Sequence, residues 1–202
     1  MKKSKNIGKV DQYQLLINAR NFHYDNFNKW MSFFYVAVGA IFVGYYSIIE
    51  KTELDFEKII ILSIGLLVSI FWHWSCKGYY YWITNFIQLI QLYEEKMPPI
   101  KRVYFCMANK KSNNKYYNPV SGANISTSKI TLLFSFIVTF SWSLLLTNKI
   151  IRINKLNIIW GKISILFYFI SLIITYMILV FIPYLFLQSE ISNYPELKNL
   201  KQ

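Results

Sequence analysis

Five hydroxyl side chains, Thr131, Ser135, Thr139, Ser143 and Thr147, recur at every fourth position through the stretch KITLLFSFIVTFSWSLLLTNK, whose other residues suit a membrane span. In hydrocarbon such hydroxyls serve one of two purposes. They hydrogen-bond across closely packed helices, or they line a water-filled path. Each four-residue step rises about 6 Å and drifts about 40°, so the column extends some 24 Å and sweeps about 160° of the helix face. Packing is the commoner use, since small hydroxyl residues let helices approach and add roughly 0.6 kcal/mol apiece. Similar small-residue steps occur at Ala40 and Gly44 and at Gly65 and Ser69. A stripe that wide also suits a wet pore, and both readings stand at this point.

A second set of residues suits anion chemistry. The segment KMPPIKRVYFCMANKKSNNKYYNPVSGANISTSK interleaves Lys101, Arg102, Lys110, Lys111 and Lys115 with Tyr104, Phe105, Tyr116 and Tyr117, and contains no acid. Cations track phosphates while bases stack on aromatic rings at roughly 1–3 kcal/mol each, a mixture that fits a single-stranded oligonucleotide or a nucleotide. A polar, basic linker between two membrane helices has the same composition. Inner-face lysines also hold topology and contact anionic lipid.

Other chemistry finds little support. Two histidines, two cysteines and three aspartates supply no triad, no metal-ligand spacing and no phosphate-cradling glycine loop. Glu94 and Glu95 are adjacent and therefore point about 100° apart on a helix. Neither an enzyme nor a cofactor is expected. His73 is the ionisable residue inside an uncharged run, between Trp72 and Trp74. An interfacial aromatic belt accounts for it, with a gate or pH-sensing role as the alternative. With no carboxylate inside any span, a coupled transporter is disfavoured.

The elements that carry these residues follow from the distribution of charge. The 202-residue chain is 54% hydrophobic, and charge is absent from Trp30 to Ile49, Ile59 to Cys76, Ile130 to Asn148 and Ile163 to Ser189. About 20 apolar residues cross a hydrocarbon core of roughly 30 Å, and a lipid-exposed backbone must satisfy its hydrogen bonds internally, so four transmembrane helices are expected. Beyond the second span, Ile83, Phe86, Ile87, Leu89, Ile90 and Tyr93 mark an amphipathic helix that Pro98 and Pro99 end. Before the first span, Tyr13, Leu16, Ala19, Arg20, His23 and Phe27 give a weaker version of the pattern. The expected organisation is a cytosolic N-terminal helix (1–29), a first hairpin (30–76), a cytosolic helix and basic loop (77–129), a second hairpin (130–188) and a cytosolic tail (189–202).

Positive-inside bias orients this all-α integral membrane protein. With both termini in the cytoplasm, the inner segments carry six, eight and two Lys/Arg against two and four in the outer loops. The outer loop with Lys149, Arg152, Lys155 and Lys162, which holds no acid, argues against that orientation. The N-terminus lacks the apolar core and cleavage site of a secretory signal, and Cys76 and Cys106 suggest no disulfide framework.

The layout of DQYQLLINARNFHYDNFNKW, two spans joined by a short acidic loop, and an extension from FWHWSCKGYY to LYEEKMPP resembles the SLATT group and the RipA-like octameric membrane proteins. Trp74, Tyr80, Ile90, Glu95 and Pro98 or Pro99 carry the likeness, over about residues 11–99. The basic loop and second hairpin read as additions to that pattern. A four-span chain with a basic inner face also resembles the membrane effector of the Hailong defence system. These resemblances imply a bacterial inner-membrane effector of anti-phage defence and a homo-oligomeric pore, for which a tetramer is the favoured form. The Hailong likeness adds a nucleotide or single-stranded DNA oligomer, made by a companion nucleotidyltransferase, as the gating partner beside membrane lipid. The alternative is a structural or signalling membrane protein whose basic loop binds lipid or protein and which has no pore.

Overall fold

The computed structural model describes residues 9–98, 101–102, 125–154 and 161–188. They form four α-helices, α1 (Lys9–Ser47), α2 (Asp55–Glu94), α3 (Thr127–Ile153) and α4 (Gly161–Phe186), with a single 3₁₀ turn at Thr52–Leu54. All four are long and apolar enough to cross a membrane. Helices α1 and α2 have 39 and 40 residues, about 60 Å each at 1.5 Å rise and twice the hydrocarbon thickness. The N-terminal cytosolic helix expected as a separate element is therefore continuous with the first span. Nothing between residues 27 and 32 (FNKWMS) breaks it, since the sequence there holds neither proline nor glycine.

The chain divides into two compact units, one with residues up to Val36 and from Ser75 to Phe134, the other with Ala37–Trp74 and the residues from Ser135 on. In the first unit α1 and α2 pack antiparallel. Phe27 meets Tyr79 at 5.8 Å between ring centroids, His23 meets Phe86 at 4.8 Å and Tyr13 meets Tyr93 at 5.9 Å. Cys76 Sγ lies 3.3 Å from Met31 Sδ. Ile83 and Ile90 are buried, as the apolar period requires, but Leu89 is exposed because it falls one residue off the stripe. The α1 face from Tyr13 to Phe27 is at least partly buried at each of its six marked positions.

The end of α2 is not made by the prolines alone. The helix stops at Glu94, ahead of Pro98, in a turn where Met97 N–H donates to the Glu94 carbonyl at 2.9 Å. Arg102 folds back on that turn, its Nε donating to the Met97 carbonyl at 2.9 Å and its Nη2 to the Glu95 carbonyl at 3.0 Å. A guanidinium on the last carbonyls satisfies acceptors that have no helical partner and opposes the negative end of the dipole.

In the second unit the core is Tyr45, Leu62 and Trp142, backed by Val38, Ile41, Val138 and Leu146. The Trp142 ring lies directly on Gly65, where a Cβ would stand 2.7 Å from ring carbons. Glycine at 65 is what permits this close approach of α2 and α3. Gly65→Ala should therefore lower stability by about 1–3 kcal/mol through overpacking. Gly78→Ala, with nothing within 4 Å of a Cβ, should instead be neutral or stabilising by up to about 1 kcal/mol. Unfolding of the two variants in the same detergent checks the difference; equal behaviour would show that the ring does not rest on residue 65.

Candidate functional site

The hydroxyl column lies on α3, and four of its five members sit in the second unit. There they are hydrogen-bonded. Ser135 Oγ lies 3.1 Å from His73 Nδ1 on α2, with Phe136 beside the imidazole at 5.7 Å. Thr139 Oγ1 donates to two carbonyls, that of Ser135 at 2.8 Å in its own helix and that of Ser69 at 3.1 Å across in α2. Ser143 turns to the other neighbour, 2.7 Å from Ser171 Oγ and 2.8 Å from Thr175 Oγ1 on α4. Thr147 donates to the Ser143 carbonyl at 2.9 Å and to Ser171 Oγ at 2.7 Å. Thr131, in the first unit, bonds only within its helix among the contacts seen, to the Thr127 carbonyl at 3.1 Å.

The 40° drift per step explains this division. Ser135 and Thr139 face α2, while the next two members have rotated far enough to face α4. One column thus serves two helix contacts. Ser135, Thr139 and Ser143 are almost wholly buried. The hydroxyls of Ser143, Thr147, Ser171 and Thr175 form one connected cluster, and such networks carry more than isolated pairs because each bond polarises the next. Beside the cluster, between α3 and α4, is a groove of about 340 Å³ with apolar walls that include Phe167, Ile170 and Ile174.

His73 and Trp72 are buried in the second unit, 7% and 0% exposed, so both rings pack inside the chain. The physical reason is rotational. Trp72 and His73 fall on the packed side of α2, whereas Phe71 on the other side is 53% exposed. At the opposite end of this unit Lys149 Nζ and Lys58 Nζ both contact Asp55 Oδ1, the latter at 3.2 Å, and Lys58 also donates to the Lys51 carbonyl at 2.7 Å. The basic Lys149 end of α3, which stood against the expected orientation, therefore has the acid at the start of α2 as partner.

Of the expected anion-binding residues, Lys101 is exposed and Arg102 is engaged with the Glu95 and Met97 carbonyls of the turn after α2. Tyr104, Lys110, Lys111, Lys115, Tyr116 and Tyr117 lie outside the described residues. Among the described residues no group of His, Cys, Asp and Glu could hold a metal ion.

Four contributors escaped the sequence reading. Ser171 and Thr175 are four apart on α4 and complete the hydroxyl cluster; matching their step against Ser143 and Thr147 would have found them. Glu94, fully buried, accepts a hydrogen bond from Tyr13 OH at 2.8 Å across α1 and α2. The Asp55 contact joins residues 94 positions apart and leaves no local signal.

Four long apolar helices, knitted by hydroxyls where hydrocarbon would surround them, define a polytopic helical membrane protein. A model described as the octameric membrane protein family (8xMP) matches residues 10–151, and the chain belongs to that family. The match runs from α1 into α3, beyond the stretch of about residues 11–99 that carried the resemblance. No curated protein matches the chain, and no solved structure matches it.

Removal of a shared hydroxyl should cost more than removal of a terminal one. Thr139→Val, which loses one contact to α2, should destabilise by about 0.6 kcal/mol, and Ser143→Ala, which strips partners from Ser171 and Thr175, by about 1–2 kcal/mol. Reversible unfolding in micelles or bicelles measures both. Equal, negligible costs would mean the cluster does not hold α3 to α4.

Proposed function

We propose that the chain is a homo-oligomeric bacterial membrane effector whose basic loop takes up an anionic nucleotide or single-stranded DNA oligomer on the cytosolic side. Occupancy there is passed to the membrane through α1 and α2. The observation that carries this reading is continuity: each of these helices runs unbroken for about 60 Å, from the Tyr13–Glu94 contact through an apolar span. A rigid helix transmits a displacement at one end that a hinged segment would absorb. Arg102 adds to the reading because, at the start of the basic loop, it is tied to the turn that follows α2.

Positive-inside bias supports a reading with both termini in the cytoplasm. The family description is of octamers, which replaces the tetramer expected from the sequence with eight copies as the favoured assembly. With the α3 hydroxyls engaged inside each chain, a conducting path would be formed between copies. A role in anti-phage defence, with a companion nucleotidyltransferase as ligand source, rests on the resemblance to SLATT and Hailong effectors.

A second reading is favoured by the same arginine. Since the Arg102 guanidinium is engaged by main-chain carbonyls, the loop could equally serve lipid or a protein partner, with no pore. Binding of short fluorescent single-stranded DNA to the purified protein separates the two. The first reading expects affinity that falls with salt at a log–log slope of about −0.7 per phosphate neutralised. It expects a loss of roughly tenfold or more when Lys110, Lys111 and Lys115 are replaced by alanine. Binding that is absent at low salt, or unchanged in the triple variant, would leave the lipid or protein reading.

A further inference from the structure

The second unit presents two outer helices of unlike character. Only 11% of the most apolar window of α1, which reaches back into the first unit, is buried within the chain, and the same holds for α4, yet their mean hydropathies are 1.3 and 2.7. Equal exposure with unequal hydropathy means that the two helices do not meet the same surroundings. On α4 the exposed positions between Ile165 and Phe181 are Ile, Leu, Phe, Tyr, Met and Val, a surface that matches acyl chains. On α1 within this unit the exposed positions are Gly39, Ala40, Phe42, Val43, Tyr46 and Ser47. Three of the six, Gly39, Ala40 and Ser47, are small.

Packing within the chain does not account for the glycines. Gly65 makes room for Trp142, whereas nothing lies within 4 Å of a Cβ built at Gly39 or Gly44. Glycine in a helix interior is destabilising unless a close approach uses the missing side chain, and in lipid that approach is by another helix. Gly39, Ala40, Val43 and Ser47 share one face, while Tyr45 on the opposite side enters the core with Leu62 and Trp142. The Ser47 hydroxyl is satisfied locally by the Gly44 carbonyl at 2.8 Å and needs no water. The face is too poor in polar groups to line a wet path and too small-featured for lipid.

The geometry points to this α1 face, Gly39, Ala40, Val43 and Ser47, as the surface on which a second copy of the chain packs, while α4 faces lipid. The inference rests on the homo-oligomeric reading, and the family to which the chain belongs is described as octameric.

The test uses the full chain in detergent and in vesicles. Native mass spectrometry of Val43→Trp and Gly39→Leu is expected to show lower oligomers and single chains where the unsubstituted protein gives the full assembly, while Ile173→Trp on α4 leaves the assembly intact. In a chain with Cys76→Ala and Cys106→Ser, a nitroxide at Val43→Cys is expected to collide with membrane-dissolved oxygen several-fold less often than one at Ile173→Cys. This second reading requires only folded protein. Single chains from the unsubstituted protein would sink the oligomeric reading itself. A full assembly retained by both α1 variants, or a label at 43 as accessible as that at 173, would overturn the α1 interface alone.

Discussion

The constraint on which the rest of this molecule depends is that hydrocarbon offers no partner to a polar group. A hydroxyl, an imidazole or a carbonyl placed there must be answered from within the protein, or the helix bearing it is destabilised. Helix α3 carries a polar residue at every turn and meets the constraint by drifting across its own two neighbours. Ser135 and Thr139 are answered by His73 and the Ser69 carbonyl of α2, Ser143 and Thr147 by Ser171 and Thr175 of α4. The drift that makes the column look too wide for one contact is the feature that allows it to serve two.

The same rule shapes the ends of the helices. Glu94 is the most buried acid of the first unit and receives the Tyr13 hydroxyl; Arg102 answers carbonyls that no helical N–H reaches. At the far end of the second unit one carboxylate, Asp55, is shared by two lysines. Because buried polar groups lose more when stranded than they gain when paired, the Tyr13–Glu94 contact fixes register between α1 and α2 more than it adds stability.

Much of the fold was legible in the sequence because membrane spans announce themselves by the absence of charge over a fixed length. The four helices and the buried stripe from Ile83 to Ile90 follow from that signal and from a 3.6-residue period. What could not be read were the relations between segments. Whether a hydroxyl on α3 meets water or Ser171 depends on which helix stands beside it, and Ser171 is distant in the chain. Nor does the aromatic sequence around His73 reveal that the rotation of α2 turns Trp72 and His73 inward and Phe71 outward. Arg102 looked like an anion ligand by composition, and its engagement with the Glu95 and Met97 carbonyls arises from a turn whose geometry no residue type encodes. The basic loop itself, from Tyr104 to Tyr117, remains a reading of composition.

These relations divide the labour of the helices: α3 holds the second unit together from inside, α4 is its apolar outer surface and α1 carries a face with no partner among the described residues. The central claim is that the α3 hydroxyls are a packing surface and not the wall of a water-filled path. The most direct measurement is modification of single cysteines at Thr139 and Ser143 by a membrane-impermeant thiol reagent in native vesicles, with the exposed Ser126 at the start of α3 as the reactive reference and the native cysteines replaced. The account expects rapid reaction at 126 and none at 139 or 143. Reaction at 139 or 143 at a rate approaching that at 126 would contradict it, because water would then reach the middle of the column.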